Sequence, residues 1–328
     1  MDRKIKGLIV LFVISCFFST QFSFAKPVGT EKALKEAKTN LLANKSPAQL
    51  VELWDDASHA ERVIIQNRLI DDIPTAIPIL QNKILTGTQK QKLFACTMIA
   101  EIRDTNSVPI LLKAIDDPDD KVKIRAISSL GILKANQAAD KIRQEMSITK
   151  NKGVLKASLA ALGTLGRPQD IAVLKTYLSS PDESVKVNAA AAMALLGNYD
   201  GQNILIAGIQ SSNPGVKKEA TYSLGFINTD QAKIKLQEII NDPNGQWKSY
   251  AKIALAQQEL LNKPINQQLI ILEVTTNDEN QRVAEWAVEK IADMDVPQGN
   301  AILQKVEKHK TEAGMRASRL LKIKGAKR

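Results

Sequence analysis

The residues able to do chemistry are few, and their spacing excludes more than it permits. The 328-residue chain has two histidines, His59 followed by Ala60 and His309 followed by Lys310. Two imidazoles at opposite ends of a chain do not make a metal cluster, which needs several ligands converging within about 2 Å of one ion. Of the two cysteines, Cys16 lies in an apolar N-terminal run and Cys96 in an apolar helical pattern, where a buried inert thiol is expected rather than a nucleophile. There is no Gly-x-Ser-x-Gly turn, no P-loop and no dinucleotide glycine fingerprint. Carboxylates gather in turns, at Asp117, Asp119, Asp182 and Asp242. No catalytic group, metal or cofactor is implied. One recurrent charge remains, a cationic column at Arg62, Lys92, Lys123, Lys186, Lys217 and Lys248. The acidic turns are placed to receive it as a structural ladder, in preference to a basic stripe for an anionic partner.

That column belongs to a register repeating at Ile65, Ala95, Ala126, Ser158, Ala189, Ala220, Ala251, Ala287 and Ala317, with the cation three places earlier. Large apolar residues follow four places on, from Leu69 to Leu321, and small ones one place further, including Gly131, Gly163, Ala194 and Gly225. A period of about 31 residues marks a stack of supersecondary units, each burying its apolar face on the next. Within a unit two helical patterns are separated by a break. Val122, Ala126, Leu130 and Leu133 share one face, and after Ala135-Asn136-Gln137 come Ala139, Ile142 and Met146. Between units, breakers such as Asp117-Pro118-Asp119, Ser180-Pro181-Asp182 and Asn213-Pro214-Gly215 end one helix and cap the next. The small column predicts close helix–helix approach. The prediction is all-α: a right-handed α-solenoid of about eight stacked antiparallel helix pairs.

The stretches Val122–Ala126 through Gly131, Val185–Ala189 through Ala194 and Val216–Ala220 through Gly225 resemble HEAT repeats, in particular the short HEAT-like (PBS-lyase type) repeats of bilin lyases. The resemblance spans about residues 59–325 and implies a binding scaffold. Some relatives, the deoxyhypusine hydroxylases, carry a di-iron site of recurrent His-Glu pairs; His59 and His309 do not supply one. A bilin-lyase role fits poorly with the export signal described next.

Arg3, Lys4 and Lys6 precede the apolar core Leu8–Ile14, and Ser23-Phe24-Ala25 offers small residues for cleavage. Residues 1–25 therefore read as a signal peptide of an exported, periplasmic or extracellular protein. Val13-Ile14-Ser15-Cys16 also resembles a lipobox, which gives lipidation at Cys16 as the minority alternative. Residues 26–58 are expected to form capping helices, 59–318 the solenoid and 319–328 a basic tail.

Charge limits the partners. Of the formal +10, residues 1–25 carry +2 and residues 305–328 carry +7, leaving +1 for the body. A groove that wraps nucleic acid would be basic throughout, so no nucleic acid is expected. Lys322, Lys324, Lys327 and Arg328 could touch an anionic membrane surface weakly. Trp54, Trp247 and Trp286 suit packing between repeats better than exposed anchors. The expected function is an exported, non-catalytic scaffold binding a protein in an inner groove lined by second helices, with Lys113, Lys141, Lys175, Gln202 and Lys235 as candidate contacts. The alternatives are an accessory or maturation factor for an enzyme or envelope complex, and a lipid-anchored envelope protein using its basic tail.

Overall fold

A computed structural model describes residues 42, 44–243 and 245–326. Residues 1–41, the signal and the first expected capping helix among them, lie outside that range, as do Lys327 and Arg328. Among the described residues there is no strand, and no helix is long and apolar enough to cross a membrane.

The chain begins with a short capping helix, α1 (Pro47–Glu52), and then alternates between two helix types. The register residues fall on α2 (His59–Asp71), α4 (Gln89–Ile102), α6 (Asp120–Ile132), α8 (Lys152–Leu165), α10 (Glu183–Leu195), α12 (Pro214–Ser223), α14 (Lys248–Leu260), α16 (Gln281–Met294) and α18 (Glu312–Gly325). Between them run α3 (Ile73–Thr86), α5 (Val108–Ala114), α7 (Ala139–Ile148), α9 (Ile171–Thr176), α11 (Gln202–Gly208), α13 (Asp230–Asn241), α15 (Ile265–Thr275) and α17 (Pro297–Val306). The described residues thus hold eight pairs, α2–α3 to α16–α17, closed by α18.

Seven of the nine register helices start for the same local reason: seven places before the register stands an N-cap whose side-chain oxygen accepts backbone N–H groups of the first turn, Ser58, Thr88, Asp119, Asn151, Asp182, Asn213 or Asn280. Many of these helices stop eight places after the register on a left-handed residue, at Arg103, Lys134, Gly166, Gly197 and Asp295. The neighbouring capping units also join one to the next. Gln89 Nε2 donates to Asp119, Asn151 Nδ2 donates to Asp120 Oδ2 at 2.7 Å, Lys152 pairs with Asp182 at 2.7 Å, and Ser211 donates to Glu183 at 2.9 Å.

The register helices form the inner layer. They pack directly on one another, while the alternate helices fan out around them. On α8 every residue from Ala157 to Leu165 is buried, and on α10 every residue from Val187 to Leu195. The small column sets the spacing: a Cβ on Gly163 would lie 2.7 Å from Ala192 Cα, and one on Gly225 2.8 Å from Ala254 Cα. The core is continuous because α10 gives Ala189, Ala192 and Met193 to the N-terminal cluster and Ala190, Ala191 and Ala194 to the C-terminal one.

Candidate functional site

Among the described residues, the inner helices leave no open groove where one was expected. Inward positions such as Ala160, Val187, Ala191 and Ala194 are buried. From α4 to α18 each register helix packs directly on the next, more extensively than the alternate helices pack on one another. The expectation that second helices line an inner groove is therefore corrected. They form the outer layer, and the apolar residues all round α8 and α10 were the sequence signal that these helices are inside. The candidate groove residues form outer-face links instead: Lys141 pairs with Asp116, Lys175 with Asp200 at 2.8 Å, Gln202 with Gln231 at 2.8 Å and Lys235 with Glu238 at 2.8 Å. Lys113 is exposed on α5.

The cationic column is a ladder over part of its length. Lys92 pairs with Asp117 at 2.6 Å, in the acidic turn after α5, whereas Lys123 pairs at 2.9 Å with Glu145 on α7, the second helix of its own repeat. Arg62 donates to the carbonyls of Trp54 and Asp55 and lies over the Trp54 ring at 5.1 Å. Lys186, Lys217 and Lys248 hold the same place with no ion pair among the described residues. For Lys186 the cause is plain, since the next turn, Ser211-Ser212-Asn213, carries no acid. For Lys248, Lys252 already holds Asp278, at 3.0 Å.

The basic tail is corrected too. Helix α18 runs to Gly325, because Ala317, Leu320 and Ile323 give it a buried apolar face beneath the cations. Lys322 Nζ lies 2.5 Å from Asp71 on α2, and Lys324 Nζ lies 3.0 Å from Asp295 and from Asn300. The first and last register helices, α2 and α18, are therefore adjacent, and the separation of His59 from His309 in sequence is no measure of their separation in space. Among the described residues no group of three or more His, Cys, Asp or Glu side chains could hold a metal ion. Burial pushes the Cys96 thiol up to about 12, so it is protonated at neutral pH. Trp54 stacks on Phe94 with centroids 3.5 Å apart, Trp286 is fully buried, and Trp247 sits at the start of α14 beside Tyr250.

Where the ends meet, charged side chains from α4, α16 and α18 converge. Arg316 bonds both Glu101 and Glu289, with a further Nη2–Oε2 contact to Glu101 at 3.3 Å. Arg103 pairs with Asp293 and stands 3.7 Å from Glu289, and Arg319 stands 3.7 Å from Glu101 and donates to Asn67 at 2.6 Å. Burial would raise the Glu101 carboxyl, but Arg316 and Arg319 outweigh it and hold the group down at about 2. Glu285, one turn before Glu289, moves the other way, to about 7, through burial and the charge of Glu312. None of these contacts was legible beforehand, since Arg316 and Glu101 lie 215 positions apart.

Shared architecture agrees with the matches to known proteins. The family model of HEAT repeats matches residues 73–163 and 171–256. The chain belongs to the HEAT-repeat family. Its HEAT-type stack is similar to the complex of CpcE and CpcF of phycocyanin lyase from Nostoc sp. PCC7120, at 19% identity over 72% of this chain and 97% of that chain, with a TM-score of 0.52. An engineered protein is 18% identical over 98% of this chain and 99% of its own, at TM-score 0.36. Human deoxyhypusine hydroxylase in complex with glycerol is 16% identical over 91% and 99%, at TM-score 0.27. No curated protein matches.

Proposed function

We propose that this HEAT-repeat protein is an exported, non-catalytic scaffold whose partner is a protein docking on the outer layer over α13 and α15. The observation that carries this reading is where apolar surface stays uncovered. Ile234 on α13 and Ile270 and Val274 on α15 are 58, 63 and 71% exposed on outer helices of consecutive repeats. Ile270 and Val274 stand one helical turn apart on one face, the spacing with which helices anchor partners. Exposed apolar groups that share a face mark interaction surfaces when the rest of the surface is polar. The phycocyanin lyase neighbour is itself seen as a complex of CpcE with CpcF. Export rests on Arg3, Lys4 and Lys6, the apolar core Leu8–Ile14 and Ser23-Phe24-Ala25.

The reading as an envelope protein held by a basic tail loses support, because Lys322 and Lys324 are engaged within the molecule. Capture of partners from the exporting compartment with wild-type protein and with the Ile270→Lys/Val274→Lys double variant tests the proposal. A partner protein retained by the wild type and lost by the variant is expected. Equal capture by both would refute docking at this face. Mass spectrometry of the mature N-terminus checks export in the same preparation, with a start at Lys26 expected and a lipidated Cys16 supporting the lipobox instead.

A further inference from the structure

We propose that α18 is a clasp: it shuts the solenoid head to tail by charged contacts to α2 and α4, and its release opens the molecule between its first and last repeats. Ordinary junctions between repeats are close, apolar and built on absent side chains, as where Gly163 meets Ala192. The seam is built differently. From α18 only Ile323 enters the N-terminal core. The remainder is polar: ion pairs from Arg316 and Arg319 to Glu101 and from Lys322 to Asp71, and a hydrogen bond from Arg319 to the Asn67 amide. The Arg316, Glu101 and Glu289 side chains are about one-fifth accessible, and Lys322 and Asp71 about half. Charges that water and ions reach are screened by salt, whereas buried apolar junctions are not.

Backbone conformation supplies a second, independent observation. Eight places after the register, the left-handed position is taken by glycine at Gly166 and Gly197, which tolerate it freely. At Arg103, Lys134 and Asp295 the same conformation is adopted by residues with a Cβ, at φ of 59°, 51° and 46°, a conformation disfavoured for them. Two of the three have their charges at the seam: Arg103 pairs with Asp293 and Lys134 lies in the field of Asp293; Asp295 receives Lys324 of α18, the neighbouring register helix. At Arg103 and Lys134 a position where glycine would do for the turn alone carries instead a charge that faces α16 across the seam.

Small-angle scattering of the full chain, with circular dichroism alongside, tests this. In 1 M NaCl, and in Arg316→Met at low salt, the maximum dimension should grow with helix content unchanged. Asp71→Lys/Lys322→Asp should return the dimension that Lys322→Asp alone enlarges. Arg103→Gly separates the clasp from a plain helix cap: a cap predicts an unchanged dimension and a raised melting temperature, and the clasp predicts a larger dimension. Dimensions unchanged by salt and by Arg316→Met would overturn the proposal. So would a dimension that grows only as helix is lost, because the seam would then be as strong as the stack.

Discussion

Glu219 is a carboxylate placed where its charge is poorly tolerated. It is 4% exposed on α12, and burial pushes its carboxyl up to about 7 against the pull of Lys218, Ser223 and Lys156. An acid whose folded pKa exceeds its unfolded value binds more protons in the native state. Its contribution is therefore most favourable below about pH 4.5 and is lost as pH rises through about 7. Glu219→Gln removes that dependence. Urea unfolding at pH 4 should place variant and wild type together, and at pH 8.5 the variant should be more stable by on the order of 3 kcal/mol. A variant that is less stable at pH 8.5 would mean that the carboxylate is compensated by its lysines. Glu101 has the opposite sign: held at about 2 by Arg316 and Arg319, it contributes stability above about pH 4.5 that is lost as pH falls through 2. At this scale the sequence was partly readable. The caps were signalled by Asp and Asn beside proline, but that Lys92 takes Asp117 and Lys123 instead takes Glu145 could be seen only with the helices in place.

Single helices show why the small column exists. A side chain at Gly163 meets the backbone of Ala192, which cannot rotate away, whereas Gly325 has nothing within 4 Å of a Cβ. Gly163→Val should cost on the order of 1–3 kcal/mol by overpacking, and Gly325→Ala should be close to neutral, both read from urea midpoints. A neutral Gly163→Val would show that α8 and α10 are not held at that distance. Periodicity was enough to find these helices, because register, cap and small residue recur together. It did not say which helix of each pair lies inside. Both types are amphipathic, and only the long apolar stretches Leu159–Leu165, interrupted by Thr164 alone, and Ala189–Leu196 distinguish the inner ones.

Across the whole molecule, a tight inner layer and an outer layer divide the work. The inner helices carry the continuous core, and the outer ones present the surface on which Ile270 and Val274 stand. The closure by α18 was hidden because it depends on the superhelical curvature, a sum of small rotations between repeats that no local pattern records. Native-state hydrogen exchange, resolved by helix, tests the layered stack most directly. The slowest amides should lie in α6, α8, α10 and α12, with α7, α9 and α11 exchanging faster and protection falling smoothly toward both ends. Outer helices as slow as the inner ones, or an abrupt fall in protection within α8 to α12, would contradict a single solenoid built on an inner layer of register helices.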